Sequence, residues 1–152
     1  MGVFTNKVDR KGRVSVPAPF RAALAEDAFS GIVAMRSIRE GVQAIEALGR
    51  QTMIRMSESI TDMFSDRSDL ASGLFGEAVE VPFDGEGRIV LPDDLLAFAK
   101  ITEQATFLGR GPYFQIWEPA ACAAFRERLF QQLRTERSRI DLSLKGSPDG
   151  RP

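Results

Sequence analysis

An internal repeat constrains this chain more than any other feature. Asp9-Arg10-Lys11-Gly12-Arg13-Val14-Ser15-Val16-Pro17 recurs, 75 residues on, as Asp84-Gly85-Glu86-Gly87-Arg88-Ile89-Val90-Leu91-Pro92. Asp, Gly, Arg and Pro are identical in both copies. The apolar phase continues on either side, with Val8 matched by Phe83, Phe20 by Leu95 and Ala22 by Ala97. Coincidence would not preserve that phase. Each half of a 152-residue chain would be marginal as a domain on its own. Strands shared between the halves, or between chains, would supply what is missing, so an intertwined barrel is expected rather than two independent beads.

Each copy reads as a hairpin. Val3 to Val8 and Arg13 to Val16 are β-favourable. Between them, an Asp side chain can bond the turn's own backbone and a Gly can take positive φ. Pro17 and Pro92 stop the strands, because proline cannot donate to a ladder. A short helix follows (Phe20 to Ala25, Leu95 to Ala99), then a strand (Ile32 to Arg36, Ala105 to Leu108) and a last strand (Val42 to Ile45, Tyr113 to Trp117). Gln43-Ala-Ile-Glu46 is a weak echo of Gln115-Ile-Trp-Glu118. The pattern predicts an α+β chain, mainly β. The first repeat spans 1–50, a helical connector 51–77, the second repeat 78–120, a C-terminal helix 121–145 and a disordered polar tail 146–152. The connector is read as a helix from about Glu46 to Asp62 and a shorter one from Arg67 to Phe75. The C-terminal helix is read from Pro119 to about Ile140, with Phe125, Leu129 and Leu133 four residues apart. Its apolar stripe and the methionines of the connector read as core rather than as a cofactor site.

Composition excludes several chemistries. The chain has no histidine, which removes the commonest general base and metal ligand. A single cysteine, Cys122, precludes an intrachain disulfide and reads as an inert buried thiol. No phosphate loop, nucleophile–base pair or metal-ligand spacing occurs, so no enzyme, no cofactor and no small-molecule substrate are expected. No apolar run has the length of a membrane span, and the start lacks the apolar stretch of a signal peptide, which points to the cytosol.

The net charge of −1 conceals an asymmetry. Residues 1–21 carry five basic side chains and one acid, whereas residues 57–103 carry three basic and eleven acidic. With Phe4, Val8, Val14 and Val16 facing a core, Thr5, Lys7, Arg10, Lys11 and Arg13 face outward. The second copy offers Glu80, Pro82, Gly85, Glu86 and Arg88 instead. Lysine and arginine at a turn can reach phosphates, and arginine can also take guanine O6 and N7 with two bonds. The competing reading is a solvated charged turn in which Asp9 simply pairs with Arg13. It leaves Arg10 and Lys11, present in the first copy only, unexplained. Val90 stands where the first copy has Ser15, and an apolar residue there would suit burial against a neighbouring subunit.

DRKGRVSVPAPFRAAL followed by DGEGRIVLPDDL, together with YFQIWEP before the last helix, resembles the MraZ family of transcriptional regulators over about residues 3–140. The resemblance implies a duplicated swapped-hairpin barrel of the AbrB type and a ring-shaped homo-oligomer. It also implies a nucleoid-associated protein that binds double-stranded DNA at direct repeats in the promoter of a division and cell-wall gene cluster, and that represses its own gene. It assigns DNA contact to Lys7, Arg10, Lys11, Gly12 and Arg13. Asp84, Gly87 and Arg88 of the second copy take a structural role, because Glu86 spoils the cationic pattern. The alternative is an intertwined scaffold or antitoxin-like partner-binding module, which would not need the cluster Lys7-Arg10-Lys11-Arg13.

Overall fold

A computed structural model describes residues 2–145. The tail expected to be disordered lies outside the described residues. The chain divides into two compact units, one ending at Pro119 and the other beginning at Ala120. In the first unit the elements run β1 (Val3–Lys7), β2 (Arg13–Ser15), α1 (Ala18–Ala23), β3 (Gly31–Arg36), β4 (Ile45–Leu48), α2 (Arg50–Met63) and α3 (Ser68–Gly76). They continue with β5 (Val79–Pro82), β6 (Arg88–Val90), α4 (Asp93–Ala99), β7 (Gln104–Gly109) and β8 (Phe114–Trp117). The C-terminal segment holds α5 (Pro119–Thr135) and α6 (Arg137–Leu144).

The repeat governs the strand pairing. One antiparallel sheet has the order β1-β7-β8-β4-β3-β5, and β2 pairs with β6 in a separate two-stranded ribbon. The six-stranded order is symmetric about the β4–β8 pair. β1 of the first copy joins β7 of the second, while β5 of the second copy joins β3 of the first. The expected hairpins are therefore not ladders. The Asp9 N–H does bond the Arg13 carbonyl at 3.0 Å, but beyond that turn β1 and β2 leave for different partners. The expected closed barrel is not formed either. Among the described residues β1 and β5 are the sheet edges, and the three-residue strands β2 and β6 pair with each other rather than with the sheet.

A hydrophobic core joins the ribbon to the sheet. Val14, Val16, Ile89 and Leu91 pack with Ile32, Ile45, Phe107, Phe114 and Ile116. Phe20 of α1, with no exposed surface, sits at its centre. Its ring lies 4.8 Å from that of Phe114 and meets Phe107 edge-on at 6.2 Å. Phe4, expected inside, covers Phe20 edge-on at 5.8 Å but stays 39% exposed, because β1 is an edge strand. Pro17 and Pro92 adopt nearly the same backbone (φ −56°, ψ 142° and φ −58°, ψ 145°) and open α1 and α4.

Three boundaries differ from the sequence reading. The last strand of the first copy is Ile45–Leu48, so Glu46 and Leu48 belong to a strand rather than to the connector helix. Three of its four side chains are buried, which erases the alternation that marks a half-buried strand. The structural match to β8 pairs Glu46 with Gln115, not Gln43 with Gln115. Gly49 then precedes α2, whose Gln51 N–H is bonded at 3.0 Å by the Asp27 carboxylate from outside the helix. The C-terminal helix is also interrupted at Glu136, next to Thr135, whose hydroxyl bonds back to the Gln131 carbonyl at 3.1 Å.

Truncating Phe20 to Ala removes the aromatic centre of the core. We expect it to cost about 3–5 kcal/mol, read as a lowered melting midpoint. A loss below 1 kcal/mol would contradict the packing described.

Candidate nucleic-acid interface

The β2–β6 ribbon has one buried and one open face. Val14 lies opposite Ile89, and each is 1% exposed. Strand alternation then turns Arg13, Ser15, Arg88 and Val90 outward. The register sets Arg13 beside Val90 and Ser15 beside Arg88. Two further main-chain bonds lengthen the ribbon, Leu91 N–H to the Gly12 carbonyl (2.9 Å) and Val16 N–H to the Gly87 carbonyl (3.1 Å). Each Asp-x-x-Gly-Arg turn thus sits at one end of the ribbon, bonded to the other copy.

The turns share one chemistry. One oxygen of Asp9 accepts the N–H groups of Lys11 and Arg13, both at 2.9 Å, and the other accepts Nε–H of Arg13 at 2.6 Å. Gly12 holds φ +81°, and a Cβ there would stand 2.9 Å from the Leu91 carbonyl oxygen. Glycine is required on both counts. Asp84 repeats the pattern with Glu86 N–H (2.8 Å), Arg88 N–H (2.9 Å) and Arg88 Nε–H (2.8 Å). The Asp9–Arg13 pairing that competed with DNA contact is therefore real. It runs through the Nε of Arg13, at the inner edge of the guanidinium. Arg88 is more restrained, since Glu86 also lies 3.7 Å from its Nη1.

These bonds shift the acids. The backbone N–H of Arg13, then its guanidinium, hold the Asp9 carboxyl down to about 2 from an ordinary 3.8. Asp84 is lowered for the same reason, first by the Arg88 backbone N–H, and Asp84 in turn raises Arg88.

Of the residues singled out in the sequence, Arg10, Lys11, Gly12 and Arg13 come together in the first turn. Gly12 is buried, Arg13 is half-buried, and Arg10 and Lys11 are exposed. Lys7 is exposed at the end of β1, on the other ladder, opposite Gln104. Thr5 is exposed, as expected, and its hydroxyl also shares a hydrogen bond with that of the buried Thr106 at 2.8 Å. Asp84, Gly87 and Arg88 form the second turn. Two contributors escaped the sequence reading. Asn6 Nδ2 donates to the Ser15 carbonyl at 2.8 Å and ties β1 to the ribbon. Arg21 donates from Nε to the Val16 carbonyl at 3.0 Å and lies against Gly87, as its counterpart Leu96 lies against Gly12. The 75-residue alignment of Arg21 with Leu96 was the available signal. Cys122 is buried and in no disulfide, and among the described residues no group of His, Cys, Asp and Glu is arranged for a metal. Nor is any described helix long and apolar enough to cross a membrane.

Fold and site together define a class: a duplicated α+β chain that presents a two-stranded ribbon with a cation-bearing turn at one end. Comparison with known proteins is specific. The chain is 45% identical over 127 residues to the transcriptional regulator MraZ of Parvibaculum lavamentivorans, a match covering 82% of this chain and 78% of that protein. It is 45% identical over 117 residues to the protein of the same name from Rickettsia bellii, covering 75% and 77%. To that of Rickettsia peacockii it is 42% identical over 117 residues, covering 76% and 78%. The model of the family described as "MraZ protein, putative antitoxin-like" matches residues 74–142. The chain belongs to the MraZ family, a family of transcriptional regulators and not of enzymes.

The Asp9 shift has a sign that can be checked. Its folded value is depressed, so its stabilising effect on the turn is present above the ordinary carboxylate range and is lost as pH falls through about 2. A carboxyl NMR titration should give Asp9 a midpoint near 2, moving upward in Arg13→Ala. A midpoint at 3.8 in the unaltered protein would contradict the turn geometry.

Proposed function

We propose that this regulator binds double-stranded promoter DNA sequence-specifically through the outer face of the β2–β6 ribbon. The observation that carries the reading is Arg13. It stands on an outward strand face, oriented by Asp9 through Nε, with the exposed Arg10 and Lys11 beside it in the same turn. A two-stranded ribbon fits the major groove, and a fixed guanidinium can take guanine O6 and N7 together. Lys7, Arg10 and Lys11 neutralise phosphates. Gly12 permits the turn. Asp84, Gly87 and Arg88 hold the opposite end, where Asp84 and Glu86 compensate the cation.

We read the chain further as a duplicated AbrB-like swapped-hairpin unit, supported by the exchange of β1 and β5 between the copies. Its copies assemble as a homo-oligomeric ring. The cationic N-terminal segment and acidic middle suit head-to-tail contacts, which close when the rotation allows. Such a ring in the cytoplasm, associated with the nucleoid, would engage direct repeats upstream of a division and cell-wall gene cluster and repress its own gene. Several weak contacts then add through effective concentration. The antitoxin-like description of the family favours a second reading, a partner-binding module without specific DNA recognition. It gives the cationic turn no task.

Gel shifts decide between them. Arg13→Ala should lose about 1–3 kcal/mol per engaged subunit, and Arg88→Ala less, with the oligomer intact in both. A duplex with a single repeat should bind far more weakly than one with several. Equal losses in the two variants, or unchanged binding by Arg13→Ala, would contradict the proposal.

A further inference from the structure

The open face of the ribbon carries four side chains, and three of them are polar. Val90 is the exception, and it is 53% exposed. Its counterpart under the 75-residue repeat is Ser15, so this one position breaks the chemical two-fold of the face. The break is local to the cationic end. Val90 lies directly across the ladder from Arg13, and the next residue, Leu91, donates its N–H to the Gly12 carbonyl. Val90 is thus bracketed by the arginine and by the turn that bears Arg10 and Lys11.

We infer that Val90 is a specificity-determining residue, which contacts the C5-methyl group of a thymine neighbouring the base that Arg13 reads. This deepens the DNA-binding reading of the ribbon and rests on it. Cross-strand neighbours in an antiparallel pair stand roughly 4.5–5.5 Å apart at Cα. Successive bases along one DNA strand are about 3.4 Å apart. Side chains from the two strands can therefore address adjacent base pairs. Valine has no donor or acceptor, so it cannot read a polar edge. The thymine methyl is the one apolar group that the major groove offers. At the other end, Arg88 has Ser15 as its neighbour, which can bond to any base, and its charge is compensated. The ribbon thus reads its two ends differently, although they are built alike.

The competing role for Val90, contact with a neighbouring subunit, is in steric conflict with this one. A subunit seated on Val90 would cover Arg13, its partner in the same register pair. One protomer cannot use the position for both.

The test uses the full chain and the duplex it enriches from a random-sequence pool. Each thymine is replaced in turn by deoxyuridine, which lacks only the methyl group. One replacement should weaken wild-type binding by about four-fold, the factor that burial of one methyl group supplies. Val90→Ser, which copies the first repeat, should bind the thymine and deoxyuridine duplexes equally and keep the wild-type mass by light scattering. Val90→Thr keeps the β-branch and one methyl group. It guards against loss of fold and should retain part of the discrimination. Persistence of the full deoxyuridine penalty in both variants, or the absence of any penalty in the wild type, would overturn the inference and leave the Arg13 reading standing. A smaller mass for Val90→Ser would overturn it in favour of the subunit contact. Failure to enrich any sequence would overturn the DNA-binding reading and this inference with it.

Discussion

The pairing of Val14 with Ile89 at the centre of the β2–β6 ribbon joins the two copies of the repeat. Both side chains are buried in a core shared with strands of the six-stranded sheet. Because these strands are three residues long, each depends on the other for its ladder. The same pairing fixes the outward direction of Arg13, Ser15, Arg88 and Val90. Packing and function meet here: the residue that must be buried sets, by alternation, which neighbours must be exposed.

Duplication followed by divergence explains the asymmetry of the face. Backbone chemistry is retained in both copies: the Asp bonds to the turn, the positive-φ Gly and the Pro that ends the strand. What differs is carried by side chains that the fold leaves free. Arg10 and Lys11 become Gly85 and Glu86, and Ser15 becomes Val90. Glu86 joins Asp84 in holding Arg88, whereas Arg13 has a single acid, Asp9, among the described residues. Arg21 reaches the second turn, where Leu96 takes the matching position at the first.

Much of this was legible in the sequence because it is local. The turns follow from Asp and Gly at fixed offsets, and the exposure of Arg13 follows from the apolar phase of Val14 and Val16. The choice of ladder partner was not legible. A strand's own residues encode which face is buried, not which neighbour it bonds, so β1 and β2 looked like a hairpin although each pairs elsewhere. Glu46 was read into a helix because β4 is buried on both faces and has no alternation to display. Thr5 satisfied the alternation rule, yet its hydroxyl finds Thr106, a contact that depends on β7 lying beside β1. Open edges at β1 and β5 replace the expected closed barrel for the same non-local reason.

We propose that the ribbon formed between the two copies is the surface that meets DNA. Site-directed cross-linking tests it most directly. Cys122 is buried, so a photoreactive group can be attached selectively to a cysteine introduced on the surface. Labelled Ser15→Cys, on the open ribbon face, should cross-link to the enriched duplex, and labelled Gln51→Cys, exposed on α2, should not. Cross-linking from position 51 with none from position 15 would contradict the account.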